Sequence, residues 1–162
     1  MTDGGKANNT GQQLERFLKH ALESRGYAPY RGRKAGKEQL FAQRAGITGR
    51  HYAKQVSAGL TIYQTPRVVD FLVLNRERFP QGLIVECKWQ QSSGSVDEKY
   101  PFLYLNILKT AVPTVILLDG GGHRPGARHW LLDRIGETGN KSLVGVWRMA
   151  AFQRHLNNGF LG

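Results

Sequence analysis

Two short apolar runs separated by a polar turn constrain the fold of this chain more than any other feature. The first covers residues 67–74 and the second residues 83–88, and both are rich in Val, Ile and Leu. The residues between them, 75–82, include Pro and Gly, so the two runs are predicted to be strands joined by a hairpin-like connection. Three charged side chains interrupt the apolar background: Asp70, Glu86 and Lys88.

Strand geometry brings these charges together. Successive side chains of a strand alternate between its faces, so we expect Glu86 and Lys88 on one face and Cys87 on the other. If the hairpin is centred near residue 78, an antiparallel register sets Asp70 opposite Glu86, with Cβ atoms about 5 Å apart. Two carboxylates at that distance repel each other unless a cation lies between them, and the backbone carbonyl of Cys87 can supply a third oxygen.

An Asp followed by Glu-x-Lys on the next strand resembles the PD-(D/E)xK nuclease superfamily, which includes type II restriction endonucleases, archaeal Holliday-junction resolvases and many phage nucleases. The first motif here is Val69-Asp70 rather than Pro-Asp. The resemblance extends from the first helix to the strand that ends at Leu118. It implies an α/β fold with a restriction-endonuclease-like core, in which helices flank a central mixed β-sheet. The alternative is that Glu-x-Lys is a common surface tripeptide and Asp70 a charge on an edge strand.

The resemblance also implies the roles of the charged residues. Asp70, Glu86 and the Cys87 carbonyl would hold one or two divalent ions, most simply Mg²⁺ with Mn²⁺ as a substitute, because every ligand is oxygen. A protonated Lys88 cannot be a metal ligand, so it would stabilise the charged transition state or orient the attacking water.

Two further residues are candidates for the same site. Glu15 matches the glutamate that approaches the metal from the first helix of the superfamily, although it can instead be a surface acid paired with Lys19. Gln90 follows Lys88 by two residues, so on a continuing strand it shares the catalytic face, where its amide could hold a water or a phosphate oxygen. The alternative for Gln90 is a polar strand end.

The charge balance predicts a polyanionic partner, with nucleic acid the first candidate. Lys and Arg number 23 against 12 acids, which gives a formal net charge of +11. Much of this charge falls in a basic insertion over residues 27–54, where aromatic residues alternate with cations. The residues predicted to contact phosphate are Arg31, Arg33, Lys34, Lys37, Arg44, Arg50 and Lys54, together with Arg124 in a glycine-rich loop. A solvated basic face around core aromatics is the alternative.

The remaining pattern predicts one domain over residues 10–162 behind a flexible leader, residues 1–9. A capping-box pattern predicts that the first helix starts at Thr10, and Gly26 predicts its end. Residues 113–118 form an apolar strand that follows residues 83–85 through a helix, which predicts a parallel β-α-β unit. No apolar run approaches the roughly 20 residues needed to span a bilayer, and no signal peptide is evident, so we expect a cytoplasmic protein without a membrane partner.

Together these features predict a metal-dependent DNA endonuclease of restriction or phage type that hydrolyses phosphodiester bonds. A Holliday-junction resolvase-like enzyme and a non-catalytic basic nucleic-acid-binding protein are the alternatives. Because cutting two strands requires two active sites, the predicted assembly is a homodimer.

Overall fold

One mixed sheet forms the centre of the molecule. The computed structural model describes residues 4–32, 37–90, 97–137 and 141–162. Within these ranges six strands lie side by side in the order β1-β2-β3-β4-β5-β6. Their bounds are β1 Ala28–Pro29, β2 Arg50–Leu60, β3 Pro66–Asn75, β4 Phe79–Trp89, β5 Thr114–Asp119 and β6 Leu143–Trp147.

Five α-helices accompany these strands in the described residues. They are α1 Gly4–Ser24, α2 Lys37–Gln43, α3 Tyr100–Thr110, α4 Pro125–Arg134 and α5 Met149–Asn157. A 3₁₀ turn precedes α3 and another follows α2. No helix in the described ranges is both long and apolar enough to cross a membrane.

The strand directions explain why the sheet is mixed. Strands β2, β3 and β4 are antiparallel neighbours, whereas β4, β5 and β6 run parallel to one another and β1 runs parallel to β2. The parallel pairs β4–β5 and β5–β6 are connected through α3 and α4, as parallel strands require a crossover. The predicted α/β fold with a mixed sheet, and the predicted β-α-β unit, are therefore confirmed.

Helices cover both faces of the sheet. On the face that we call the α1 face, Leu14, Leu18 and Leu22 recur every four residues and pack with α5 against Phe71 and Val85. On the opposite face, which we call the α3 face, α2 packs against the antiparallel half of the sheet and α3 and α4 pack against the parallel half. Strand β5 is thus buried on both sides, which accounts for its continuous apolar sequence.

The first helix differs from its predicted start. It begins at Gly4 rather than at Thr10, so residues 4–9 of the predicted flexible leader are helical, and residues 1–3 lie outside the described range. Each residue added to an existing helix gains a backbone hydrogen bond, which outweighs a local capping pattern inside it. The predicted end is confirmed. Gly26 has a φ of +81°, and Tyr27 N–H donates to the Leu22 carbonyl at 3.1 Å, in a Schellman-type ending.

Within the described residues, the basic segment over residues 27–54 contributes to the sheet. It contains β1, α2 and the first residues of β2. Its aromatic Tyr52 is only 2% exposed and packs in the core of the α1 face. Alternating basic and aromatic residues are therefore explained in part by strands that have one buried face.

The carboxyl ends of β4 and β5 are locked together by a glycine turn. Gly122 N–H donates to the Gln90 carbonyl at 2.7 Å, and Gln90 N–H donates to the Asp119 carbonyl at 3.0 Å. Gly120, with a φ of +102°, passes so close that a Cβ atom would lie 2.4 Å from the Gln90 carbonyl oxygen. Gly121 also has a positive φ, +74°, but a Cβ atom there would meet nothing within 4 Å.

This difference gives a matched pair of variants. We expect Gly121→Ala to lower the free energy of unfolding by about 1 kcal/mol, from backbone strain alone. Gly120→Ala should cost roughly 3 kcal/mol or more, because the backbone contact with Gln90 adds to the strain. Urea denaturation of the two variants measures the difference, and equal losses would contradict the close approach.

Candidate active site

Asp70 and Glu86 lie where two strands of the sheet separate. The antiparallel pairing of β3 and β4 ends at Phe71 opposite Val85, whereas the parallel pairing of β4 with β5 continues to Trp89. The next step of the β3–β4 register sets Asp70 beside Glu86, so the predicted register is confirmed as far as Phe71. Past that pair the two strands no longer share a ladder, and the acidic side chains lie at the mouth of the gap.

Beside this gap, the side chains of β2 depart from regular alternation between the two faces of the sheet. Ala53 and Val56 are three residues apart, yet both pack in the cluster on the α3 face. Regular alternation puts residues an odd number apart on opposite faces, so the alternation slips by one residue between them. Gln55 lies at the slip with a φ of +52°, which is uncommon for a residue with a side chain.

Strand β3 shows the same slip at Asp70. Val69 and Leu72, again three residues apart, both pack on the α3 face. Asp70 therefore turns toward the gap, where its Oδ2 accepts a hydrogen bond of 2.8 Å from the Cys87 N–H. Gln55 Nε2 donates to the other carboxylate oxygen at 3.4 Å. The Asp70 carboxylate thus accepts the hydrogen bond from the Cys87 N–H that the backbone of a neighbouring strand would otherwise accept.

The Cys87 carbonyl is directed toward the same gap. In an antiparallel ladder the N–H and C=O of one residue point to the same side of the strand. Because the Cys87 N–H reaches Asp70, its carbonyl also faces β3. The thiol lies toward the α1 face, and burial, with further contributions from Asp70, Glu15 and Glu86, raises the pKa of the Cys87 thiol well above its ordinary value.

Glu86 is a buried carboxylate with an internal cation. It is 3% exposed and its Oε1 lies 3.1 Å from Nη2 of Arg67, which is 4% exposed. Arg67 Nη1 also donates to the Asn106 carbonyl and to the Thr110 hydroxyl, both on α3. Burial, followed by the charge of Asp70, raises the pKa of Glu86 to about 7 even with Arg67 in place.

Asp70, Glu86 and Lys88 line one cavity of about 440 Å³ on the α3 face. Lys88 is half-buried, and Lys99 at the start of α3 contributes a second ammonium group to the same space. The other walls are mainly apolar, formed by Pro66, Val68, Phe102 and Leu103. The three residues of the Asp and Glu-x-Lys pattern are therefore brought together in the lining of one cavity.

Glu15 and Gln90 lie beside this site but do not line the cavity. Glu15 forms an ion pair of 2.9 Å with Lys54 rather than with Lys19, and it approaches from the α1 face, near Cys87. The Gln90 amide oxygen accepts a 2.8 Å hydrogen bond from the hydroxyl of Tyr100, which does line the cavity. Their predicted roles in catalysis stay predictions.

The predicted phosphate-binding cations have different surroundings. Arg31 and Arg50 are exposed, and the Arg50 guanidinium donates to the Arg25 carbonyl at 2.8 Å. Arg44 donates to the carbonyls of Gln81 and Phe41, which favours a structural role, and burial lowers its pKa. Arg124 pairs with Asp97 at 3.5 Å. Arg33 and Lys34 lie outside the described residues, and Lys37 is described only as the first residue of α2.

Sequence reasoning missed two polar residues that touch the acidic pair. Arg67 opens the first apolar run, and a cation inside a buried strand was a signal for an internal acidic partner. Gln55 gave no such signal, because a glutamine in a strand is ordinary and its positive φ results from the tertiary structure.

The donor chemistry of the site suits a hard divalent cation. Asp70, Glu86 and the Cys87 carbonyl offer only oxygen atoms. No group of three or more His, Cys, Asp or Glu side chains that could hold a metal occurs within the described ranges. The acidic component is thus a pair of carboxylates whose mutual repulsion is only partly offset by Arg67.

The chain matches a known protein family over most of its length. A model described as a PD-(D/E)XK nuclease superfamily domain matches residues 6–160. No curated protein and no solved structure matches the chain.

The raised pKa of Glu86 predicts how stability depends on pH in EDTA. The folded state keeps the Glu86 proton up to about pH 7, whereas an unfolded glutamate releases it near its ordinary value of 4.5. The higher proton affinity of Glu86 in the folded state therefore stabilises the fold fully below pH 4.5, and this stabilisation is lost as the pH rises to about 7. We expect wild type to lose stability relative to Glu86→Gln across that interval.

Urea denaturation at pH steps between 4 and about 8 measures the free energies of unfolding. Glu77→Gln, at an exposed carboxyl in the turn between β3 and β4, is the matched control and should run parallel to wild type. Parallel curves for wild type and Glu86→Gln would contradict the assignment.

Proposed function

The chain belongs to the PD-(D/E)XK nuclease superfamily, and from that premise we propose that it is a metal-dependent DNA endonuclease that hydrolyses phosphodiester bonds. One observation carries the proposal: Asp70, Glu86 and Lys88 line the same cavity at the point where β3 and β4 separate. Two carboxylates can hold a divalent ion for attack on a phosphodiester, and one ammonium group can stabilise the negative charge that develops there.

The residues fit Mg²⁺, with Mn²⁺ as a substitute. Mg²⁺ in phosphate-processing sites commonly takes one or two carboxylates and leaves its other positions to water and phosphate oxygens. Asp70 and Glu86 would provide the carboxylates, and the Cys87 carbonyl a neutral oxygen. A bound divalent cation lowers the pKa of its water ligand and offsets negative charge on the phosphate.

The protein itself would contribute position and charge. Asp70 is oriented by the Cys87 N–H and by Gln55, so its carboxylate has a defined direction in the gap. Glu86 is held by Arg67, which α3 anchors through Asn106. Lys88 would donate hydrogen bonds to the phosphate oxygens or to the attacking water, where negative charge develops during the reaction.

DNA is the proposed substrate because the chain carries a formal net charge of +11 and places two lysines at the site. Phosphate contacts supply most of the affinity of a basic protein for nucleic acid. A restriction-like or phage-type enzyme is the preferred form, with a resolvase-like, structure-selective enzyme as its variant. The resulting test must therefore include branched and single-stranded DNA.

The Arg67–Glu86 ion pair favours a second candidate function. The guanidinium of Arg67 already pairs with Glu86, so Asp70 and Glu86 could lie side by side in a folded protein that binds no metal. The function would then be non-catalytic binding of nucleic acid. Such a protein would bind DNA through its basic surface, and neutralising Asp70 would keep or improve its affinity.

Cleavage assays separate the two functions. Supercoiled plasmid, a four-way junction and single-stranded DNA are incubated with wild type in Mg²⁺, Mn²⁺ or EDTA. We expect metal-dependent cutting that falls at least a hundredfold in both Asp70→Asn and Lys88→Ala. The first removes a charged metal ligand, and the second removes positive charge at the reacting phosphate. Lys141→Ala, an exposed lysine outside the cavity, should cut like wild type. Tight binding without cutting of any substrate in either metal would overturn the enzyme proposal.

We also propose that the active form is a homodimer, because one active site cuts one strand at a time. Light scattering should give about twice the chain mass of 18.2 kDa. Plasmid time courses should show linear product without accumulation of nicked circles. A monomeric mass together with accumulated nicked circles would contradict this assembly.

A further inference from the structure

A stacked aromatic pair, exposed Tyr63 and half-buried Phe102, borders the cavity. The rings of Tyr63 and Phe102 are stacked, with centroids 5.1 Å apart and planes 28° apart. Phe102 lines the cavity, whereas Tyr63 lies outside it and is 72% exposed. Val68, 52% exposed, continues the apolar wall. Exposed apolar surface in one contiguous patch is typical of a binding site.

The loop that carries Tyr63 is fixed rather than left to solvent. Thr61 N–H donates to the Thr65 carbonyl at 2.8 Å, and the Tyr63 N–H donates to the Thr61 hydroxyl at 3.2 Å. Two bonds tie the loop to α3: Ile62 N–H donates to the Asn106 side chain and Lys109 Nζ to the Thr61 carbonyl, each at 2.8 Å. An aromatic ring held outward by a braced loop is preorganised for contact with a ligand.

Charged groups line the same cavity. Asp70, Glu86 and Lys88 are among them, so a ligand that fills the cavity meets the reacting groups and the apolar wall together. A nucleotide combines the matching properties, with an anionic phosphate joined to a base whose faces stack on aromatic rings. The volume of about 440 Å³ lies in the range of small-molecule sites.

From this combination of apolar and charged lining we propose that the cavity receives the base of an unpaired nucleotide, which packs against Phe102 while its phosphate faces Asp70, Glu86 and Lys88. The inference rests on the proposed nuclease function and names its substrate class, DNA with an unpaired nucleotide next to the scissile phosphate, which favours the structure-selective form of the proposed enzyme over the restriction-like form. A base inside a duplex is already stacked on both faces and cannot offer one to Phe102.

A protein partner fits the patch less well. A partner or second copy seated on Phe102 and Val68 would cover the cavity that holds the acidic pair, and substrate could not enter. The lysines of the same cavity, Lys88 and Lys99, complement a phosphate. The charge and the apolar wall therefore favour one occupant, a nucleotide.

Binding in EDTA tests the proposal without requiring cleavage. The probes are a short single strand containing 2-aminopurine, whose fluorescence falls on stacking, and the same strand fully paired in a blunt duplex. We expect Phe102→Ala and Phe102→Leu to weaken single-strand binding roughly tenfold or more and to abolish the fluorescence change. Duplex affinity should change less than twofold. Phe102→Tyr should restore both signals.

Controls separate this proposal from folding and from the nuclease function. Leu108→Ala, on the same helix but outside the cavity, should bind like wild type, and thermal unfolding confirms that each variant folds. Equal losses on both probes, no loss on either, or a change in oligomeric mass caused by Phe102→Ala would overturn the proposal. Cleavage of the same probes by wild type in Mg²⁺ is scored separately, so failure of the nuclease function remains distinguishable.

Discussion

The repulsion between Asp70 and Glu86 is the constraint around which the site is organised. Each carboxylate has a partner that offsets part of the repulsion. Asp70 accepts a hydrogen bond from the Cys87 N–H, which has no partner in the backbone of β3, and Glu86 forms an ion pair with the buried guanidinium of Arg67. A buried ion pair seldom recovers the full cost of removing both charges from water. Its presence beside the point where two strands separate is therefore explained better by the chemistry of the site than by stability.

Helix α3 connects the parts of this arrangement. Its Asn106 accepts from Arg67 through the backbone carbonyl and from the Tyr63 loop through the side chain. Its first turn supplies Phe102 to the cavity wall. One helix, which is the crossover that the parallel pair β4–β5 requires, thus positions the internal cation, the aromatic pair and the apolar wall relative to the carboxylates.

Local patterns predicted the sheet and the convergence of Asp70, Glu86 and Lys88, because strand alternation and hairpin register depend on neighbouring residues. The slip at Gln55 and Asp70 could not be predicted in this way, since it needs two adjacent strands to deform together. The Arg67–Glu86 pair joins residues far apart in sequence, and its anchoring depends on α3. Tertiary contacts likewise decided that Glu15 pairs with Lys54 rather than with Lys19.

Arg67 offsets only part of the cost of burying Glu86. If the guanidinium compensated fully, burial and Asp70 would not raise the pKa of Glu86 to about 7. The charge of Lys88, which is half-buried in the cavity, also acts to lower the pKa of Glu86 but does not offset the effects of burial and of Asp70. The remaining imbalance favours any additional cation that approaches the gap between Asp70 and Glu86. The repulsion that lowers the stability of the fold near neutral pH would therefore be relieved by a divalent ion, the cofactor that we propose for this site.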